Sequence, residues 1–324
     1  MTQPLDRVND GRPLISVVMP CYNAAPFLAE AVGSALNQTY GNVEVVLVDD
    51  GSTDGSADVG ARLAADYPGR LVLAHSQRKG PFPARNQALR LIRGELVAFL
   101  DADDWWDATA LDTLYAAMSV AKAEIAYCGW QNVGEGIHSA PYVPPQYEAE
   151  DPVANFVRTC PWPIHAALIS RDLVDRLDGF SERCYSAMDY DFWLRALATT
   201  RRMVRVPEVL AFYRWHGQGQ VSAVKWRQVL DALTSQKDFI RANPGLVAHL
   251  PQDRLRDLTE GQVLRQAYRA FWKRDLASAH RLFRHAGMAG ACKMDDLRHV
   301  LTALLPFPAY RWLMQRIDRQ GEGV

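Results

Sequence analysis

Four short apolar runs, each cut off by a polar loop and separated from the next by a stretch of helical period, constrain this chain more than any other feature. They are Leu14-Ile15-Ser16-Val17-Val18-Met19, Val43-Glu44-Val45-Val46-Leu47-Val48, Leu71-Val72-Leu73-Ala74 and Leu96-Val97-Ala98-Phe99-Leu100. Runs this short, rich in branched side chains and bounded by Pro20, by turn residues or by acids, fit strands buried on both faces. Between them Phe27, Leu28, Ala31, Val32, Ala35 and Leu36, then Ala57, Val59, Leu63 and Ala64, then Ala88, Leu89, Leu91 and Ile92, recur at helical spacing, and Gly94 closes the third helix. Strand, loop and helix in repetition predict an α/β domain around a largely parallel sheet. In such sheets ligands bind in the crevice outside the strands' carboxyl ends.

The residues at those ends carry chemistry. The first loop is Cys21-Tyr22-Asn23-Ala24-Ala25-Pro26, and the second opens with Asp49-Asp50-Gly51-Ser52-Thr53-Asp54. The third, Gln77-Arg78-Lys79-Gly80-Pro81-Phe82-Pro83-Ala84-Arg85-Asn86, places three cations before a helix. The fourth is Asp101-Ala102-Asp103-Asp104-Trp105-Trp106. Carboxylates so crowded raise one another's pKa unless a cation sits among them, and oxygen ligands suit Mg2+ or Mn2+. A plainer role is capping, with Asp103, Asp104 or Asp107 at the start of the helix marked by Leu111, Leu114, Tyr115 and Met118. Capping accounts for one acidic cluster but not for two acidic clusters and one basic cluster on the same sheet edge.

Beyond Trp106 the pattern changes. Glu124 to Trp130 reads as a strand, Val133 to Asp151 as a glycine- and proline-rich loop, Ile164 to Ile169 as a strand and Leu177-Asp178-Gly179-Phe180 as a turn. Met188 to Leu197 reads as an amphipathic helix opening with acids, and Val204 to Val206 and Val209 to Tyr213 as short strands before the polar loop Arg214 to Ser222. From about Lys225 the strand signals stop and helical stretches run through Val229–Arg241, Leu255–Trp272, Leu276–His285 and Leu297–Leu304. The tail, Leu304 to Met314, is apolar and aromatic beside Arg311, Arg316 and Arg319; it packs on the helical module or lies on a membrane surface.

A net charge of -1 from 36 basic and 37 acidic side chains implies no polyelectrolyte partner, so nucleic-acid binding is not expected. The cysteines Cys21, Cys128, Cys160, Cys184 and Cys292 are scattered and form no Cys-x-x-Cys, which fits buried thiols in a reducing compartment and no structural zinc. Residues 1–13 are polar, with no apolar core of a signal peptide, and no run reaches a membrane span. A cytoplasmic protein is expected.

Taken in order, Ser16-Val17-Val18-Met19-Pro20-Cys21-Tyr22-Asn23, Val48-Asp49-Asp50-Gly51-Ser52-Thr53-Asp54, Ala84-Arg85-Asn86 and Phe99-Leu100-Asp101-Ala102-Asp103-Asp104-Trp105-Trp106 resemble the family-2 glycosyltransferases over roughly residues 14 to 222. The resemblance implies a GT-A fold: an α/β domain with a central mixed sheet, a nucleotide half at about 14–106 and an acceptor half at about 107–222, followed here by an all-helical module at 223–324. It implies that Pro20, Tyr22 and Asn23 wall the nucleotide pocket and that Asp50 accepts a hydrogen bond from a pyrimidine ring N–H. Asp101 then lies near the ribose or metal and Asp103 is the metal ligand, with Mn2+ or Mg2+ as cofactor. Arg85, with Arg78 or Lys79 as rivals, approaches the diphosphate, unless these are solvated surface cations.

The family usually carries Glu-Asp before an aromatic-rich helix, the Asp being the general base; here the pair is Met188-Asp189. Asp189 matches the base, or caps its helix. Asp191, two residues on, points about 200° away and does not serve the same site. Arg214-Trp215-His216 resembles the family's Arg-x-His segment, whose His completes the metal shell or touches the diphosphate. His165, in an apolar run, reads as a core histidine. Trp105 and Trp106 floor the sugar site or pack in the core, and Asp191 and Arg214 are weaker candidates for the acceptor or sugar site.

The expectation is an inverting transfer from a nucleotide-diphosphate sugar, a uridine diphosphate sugar being favoured, to a hydroxyl of a glycan or lipid-linked acceptor. Peripheral membrane contact through the C-terminal helices is a further option. Two alternatives are a non-catalytic nucleotide-sugar-binding or scaffold protein, to which Met188 points, and a sugar nucleotidyltransferase, against which the absence of glycine between Pro20 and Pro26 counts.

Overall fold

The computed structural model describes residues 11–134, 137–181, 183, 186–215 and 225–321. In it the four apolar runs are strands: β1 (Ile15–Cys21), β2 (Val43–Asp49), β3 (Leu71–His75) and β4 (Leu96–Phe99). They alternate with the helices α1 (Leu28–Leu36), α2 (Ser56–Asp66) and α3 (Pro81–Leu89). All four are parallel, with Cys21 opposite Asp49, Asp49 opposite His75, and Val18 opposite Phe99. Every residue of β1, β2 and β4 is buried, as strands covered on both faces require.

β1 continues through Pro20, where the sequence predicts a stop. The carbonyl of Val18 accepts from Leu100, so Val18 faces β4; Pro20, two residues on, turns its nitrogen to the same side. The β1–β4 ladder ends at Val18, so the missing N–H costs no ladder bond.

The chain then adds β5 (Trp105–Trp106), α4 (Ala110–Ala121), β6 (Ile125–Gly134), β7 (Ile137–His138), α5 (Pro152–Arg158), β8 (Ala167–Ser170), α6 (Arg171–Arg176), α7 (Met188–Thr199) and β9 (Met203–Trp215). Among the described residues the mixed sheet has the order β3-β2-β1-β4-β8-β6-β9-β5, with β7 beside β6. β8 runs antiparallel to both β4 and β6, which turns the parallel half into the mixed half. Ile164 to Ala166, expected as strand, form a turn of 3-10 helix before β8. The two short strands expected after residue 203 are one strand: β9 stays paired with β6 through register shifts beside Gly129, where Pro207 cannot donate to the ladder.

Contacts divide the chain into two units. One holds Met1–Pro152, Cys160–Arg183 and Arg195–Gln218; the other holds Val153–Thr159, Cys184–Leu194 and Gly219–Val324. The second is helical: α8 (Lys225–Ala242), α9 (Pro244–Val247), α10 (Gln252–Leu258), α11 (Glu260–Trp272), α12 (Leu276–Met288), α13 (Leu297–Ala303) and α14 (Phe307–Gly321). Its core gathers Leu233, Val263, Phe271, Leu282, Phe283 and Tyr310. Gly287 of α12 lies so close to Val300 of α13 that a Cβ there has no room. The stretch expected as one helix from Leu255 is broken at Thr259, whose hydroxyl donates to the Leu255 carbonyl at 2.8 Å. Among the described residues no helix is long and apolar enough to cross a membrane.

Candidate active site

Parallel strands in register deliver their following loops to one edge, and there the first unit assembles Tyr22, Asn23, Asp50, the loop of residues 76–80, Asp101 and Asp103. Asn23 sits at φ 49°, a backbone conformation that asparagine tolerates better than most residues. Its side-chain oxygen accepts from the Thr53 N–H at 2.8 Å, and the Ser52 hydroxyl accepts from the Asn23 N–H at 3.0 Å. Asp54 adds a second tie, accepting from the Ala25 N–H at 3.1 Å and the Ser56 hydroxyl at 2.6 Å. Partial burial opposes its charge, yet these donors hold its carboxyl below the usual range. Asn23 thus fastens the first loop to the second.

Asp50 is buried and anchors the third loop. Its Oδ1 accepts from the Ser76 hydroxyl at 2.7 Å and the Lys79 N–H at 2.9 Å, and its Oδ2 from the Gly80 N–H at 2.7 Å. Gly80 has φ 96°, so glycine serves the turn that aims this N–H. A carboxylate offers about four acceptor positions, which leaves one near Oδ2 open. The anchored loop brings Arg78 over Tyr22, its guanidinium carbon 3.4 Å from the ring centroid.

Arg85 points inward from α3. It is buried, donates through Nη2 to Asp101, and lies 5.5 Å from the ring centroid of Phe180. Its neighbour Asn86 exchanges two 2.9 Å bonds with the backbone of Phe180. Gly179 is fixed by this contact, since a Cβ there would stand 2.6 Å from Asn86 Oδ1. The Ala84-Arg85-Asn86 segment therefore holds both the acidic loop after β4 and the Leu177–Phe180 turn. Lys79, the third cation, contributes its backbone to Asp50.

The acidic loop is a tight turn in which the Asp104 N–H donates to the Asp101 carbonyl at 3.1 Å. Arg214 of β9 braces it. Its Nε donates to the Asp103 carbonyl at 2.8 Å, its own N–H donates to Asp104 Oδ1 at 2.8 Å, and its Nη2 reaches Glu30 of α1 at 2.7 Å. The guanidinium lies 4.3 Å from the Trp105 centroid, and Trp105 stacks on Phe212 at 5.3 Å. Trp106 is buried, donating its indole N–H to the His165 carbonyl at 2.7 Å.

Asp104 and His165 form a buried pair, Oδ2 to Nδ1 3.4 Å. Burial, then the charges of Asp103 and Asp101, push the Asp104 carboxyl well above the usual range. Burial pulls the His165 ring down to about 4. The core reading of His165 and the pairing are both visible here. The sequence reading did not assign Asp104 to this pair, nor Glu30, Ser76 and Phe180 to the site. Only the crowding of acids after Leu100 signalled the first, and no local signal marks the others.

Asp189 and Asp191 both lie in the first turn of α7, within the second unit; Asp191 is buried and Asp189 half-buried. His216 lies outside the described residues. Among the described residues no three His, Cys, Asp or Glu side chains converge on one point. A cation here would thus be held by one or two carboxylates together with substrate phosphates, a common arrangement for Mg2+, and Asp103 fits it as a half-buried carboxylate beside a braced backbone.

Comparison with known proteins agrees with this geometry. Residues 16–177 match the model of glycosyl transferase family 2, half of the chain. EpsJ of Bacillus subtilis, an uncharacterized glycosyltransferase, is 28% identical over 90% of this chain and 77% of its own length. WfaP of Escherichia coli, named a UDP-Glc:alpha-D-GlcNAc-diphosphoundecaprenol beta-1,3-glucosyltransferase, is 28% identical over 67% of this chain and 83% of its own. Among solved structures, the mannosyltransferase PcManGT of Pyrobaculum calidifontis, in complex with GDP-Man and Mn2+, superposes with a TM-score of 0.59 at 24% identity, covering 94% of this chain and 84% of that one. Motif order, sheet topology and family match lead to one assignment: the chain belongs to glycosyl transferase family 2 and is an enzyme built on the GT-A fold.

Proposed function

We propose that this glycosyltransferase moves a sugar, with inversion at the anomeric carbon, from a nucleoside diphosphate sugar to a hydroxyl of a glycan or lipid-linked saccharide, and that the donor is a UDP-sugar. The observation that carries the reading is the shared sheet edge of Tyr22, Asp50, Asp101 and Asp103. The names of WfaP and PcManGT support a nucleotide-sugar donor, the first also a lipid-diphosphate acceptor and the second a divalent cation. The transferase domain is residues 14–222, with the donor half at 14–106 and the acceptor half at 107–222. The scattered cysteines support a cytoplasmic enzyme.

In this reading Pro20, Tyr22 and Asn23 wall the base site, and the open acceptor position on Asp50 takes a ring N–H, which selects a base with a donor there. Arg85 sets the position of Asp101 beside the ribose. Asp103, with His216, would hold Mn2+ or Mg2+. The cation, when bound, offsets the charge that grows on the leaving diphosphate. Asp189 takes the proton of the acceptor hydroxyl; that oxygen bonds to the anomeric carbon from the face opposite the diphosphate as the carbon–diphosphate oxygen bond breaks. Trp105, Arg214 and Asp191 remain candidates for the sugar and acceptor side, whereas the indole of Trp106 is committed to His165.

Calorimetric titration with UDP, dTDP and GDP, each with and without Mn2+, tests the donor site. Binding of UDP that requires Mn2+ is expected. Preference for GDP overturns the UDP-sugar donor, and binding indifferent to the metal overturns the role of Asp103.

A further inference from the structure

The C-terminal end of the second unit carries an apolar face that its own core leaves open. The inward positions of α13 are Val300 and Ala303, 6% and 0% exposed, and those of α14 are Tyr310 and Met314, 1% and 5% exposed. These contacts fix which way the two helices face. Leu297, Leu301 and Leu304 follow at intervals of four and three, so they share a stripe, and they are 37%, 59% and 54% exposed. Leu305 in the turn before α14 is 40% exposed and Trp312 on α14 59%. Apolar side chains clustered in this way mark an interaction surface more often than those scattered singly.

The charge of the same segment identifies what it fits. From Leu297 to Arg316 the charged residues are Arg298, Arg311 and Arg316, a stretch of basic charge flanked by Asp295 and Asp296 before α13 and by Asp318 late in α14. All three arginines are exposed, and Arg316 lies 5.3 Å from the Trp312 ring centroid. A two-fold pairing with a second copy would set this surface against itself and bring its three arginines toward their own copies. An anionic bilayer satisfies both parts at once: leucines enter the headgroup boundary, tryptophan takes its preferred interfacial depth, and guanidinium groups meet lipid phosphates.

We propose that the outward face of α13 and α14 docks this enzyme on an anionic lipid surface, with Leu301, Leu304 and Trp312 as apolar anchors and Arg298, Arg311 and Arg316 as the electrostatic contacts. The proposal stands on the helical unit and does not depend on which base or sugar the donor carries.

Co-sedimentation of the full chain with phosphatidylcholine vesicles, and with vesicles in which roughly a third of the lipid is phosphatidylglycerol, tests it. Binding to the second set alone, weakened by salt, is expected. The double substitution Leu301→Asp and Leu304→Asp abolishes it, and Arg298→Gln, Arg311→Gln and Arg316→Gln together lower partitioning roughly a hundredfold, at about fivefold per arginine. UDP binding and thermal unfolding stay at wild-type values in both variants, because all five side chains are exposed. Equal binding to both vesicle types, or to neither, overturns the proposal. So does a dimer of the free protein that the leucine substitutions split into monomers. The lipid and salt dependence of the wild type decides even where a variant misfolds.

Discussion

Arg85 of α3 and Asp101, at the carboxyl end of β4, hold each other across the sheet edge: the guanidinium is buried and the carboxylate half-exposed. An acid of the proposed donor site is thus already paired within the protein. Replacing Arg85 by Ala leaves Asp101 without its counter-ion, and the exposure of Asp101 reduces the loss. Urea unfolding should show a decrease of about 2 kcal/mol. Donor affinity should fall with it, and Arg85→Lys, which keeps charge without the fork, should recover part of the stability. An Arg85→Ala variant with wild-type donor affinity would separate this pair from the donor site.

Asp104 divides stability from charge. Burial and the charges of Asp103 and Asp101 favour its protonated form, and Asp104→Asn, uncharged and of the same shape, retains a carbonyl acceptor for the Arg214 N–H and should unfold within about 1 kcal/mol of wild type. Asp104→Ala orphans that N–H and should cost about 2 kcal/mol. The folded state holds this proton at pH values where the unfolded chain releases it. Its contribution is therefore fully present in acid and declines as pH rises through and above the ordinary carboxylate range. The Asn variant should gain on wild type over that rise; a flat difference across pH would mean an ionised Asp104.

The two proposed chemical roles separate by assay. Asp189→Asn should lower turnover roughly a thousandfold while leaving UDP affinity intact, as expected for a lost general base. Asp103→Ala should instead remove the Mn2+ dependence of UDP binding. Wild-type turnover in the first variant, or metal-dependent binding in the second, would reassign the residue concerned.

Arg78 covers the Tyr22 face on which a base would stack, and a centroid distance of 3.4 Å leaves no room for a ring between them. Nucleotide must then displace the guanidinium, breaking a surface cation–π contact of about 0.5–1 kcal/mol. Arg78→Asn suits the left-handed backbone there, φ 42°, and should tighten UDP binding about threefold. Weaker binding on calorimetry would show that Arg78 contacts the nucleotide.

Burial pushes the thiols of Cys21 and Cys128 up to about 12. The nucleophile in alkylation is the thiolate, so both should resist iodoacetamide at pH 8 in the native protein and react fully in urea. Peptide mass spectrometry reads each site. Rapid native labelling of Cys21 would mean that the edge beside Tyr22 opens readily.

The parallel half was legible because β1, β2 and β4 are covered on both faces: a strand of that kind is a bare apolar run, and the polar residue that ends it is already at the ligand edge. The acids after Val48 and Leu100 could be placed on that edge from the pattern alone, whereas singling out Asp50, Asp101 and Asp103 among them rested on the family resemblance. The rest depends on partners distant in sequence. Trp105 and Trp106 form a strand only because Phe212 and Ala211 lie beside them, and the bracing role of Arg214 needs Asp103, Asp104 and Glu30 in place. His165 read as a core histidine for the right reason, its apolar surroundings, but no local pattern names Asp104 as its partner. Pro20 misled as a strand terminator, since its effect depends on which neighbour its nitrogen faces.

The helix that begins at Met188 takes its support from both sides of it in sequence. Asp231 accepts from the Ser186 N–H at 3.0 Å just ahead of it, and Tyr190 donates to the Phe156 carbonyl at 2.6 Å, while Gln236 donates to the Val157 carbonyl at 2.7 Å. Nascent protein emerging from a ribosome would therefore have its last sheet strand, which ends at Trp215, before Asp231 and Gln236 follow to hold the turn bearing Asp189. Assembly in that order puts the proposed donor edge in place before the turn of the proposed base, and a chain cut before Asp231 would stop at the earlier stage.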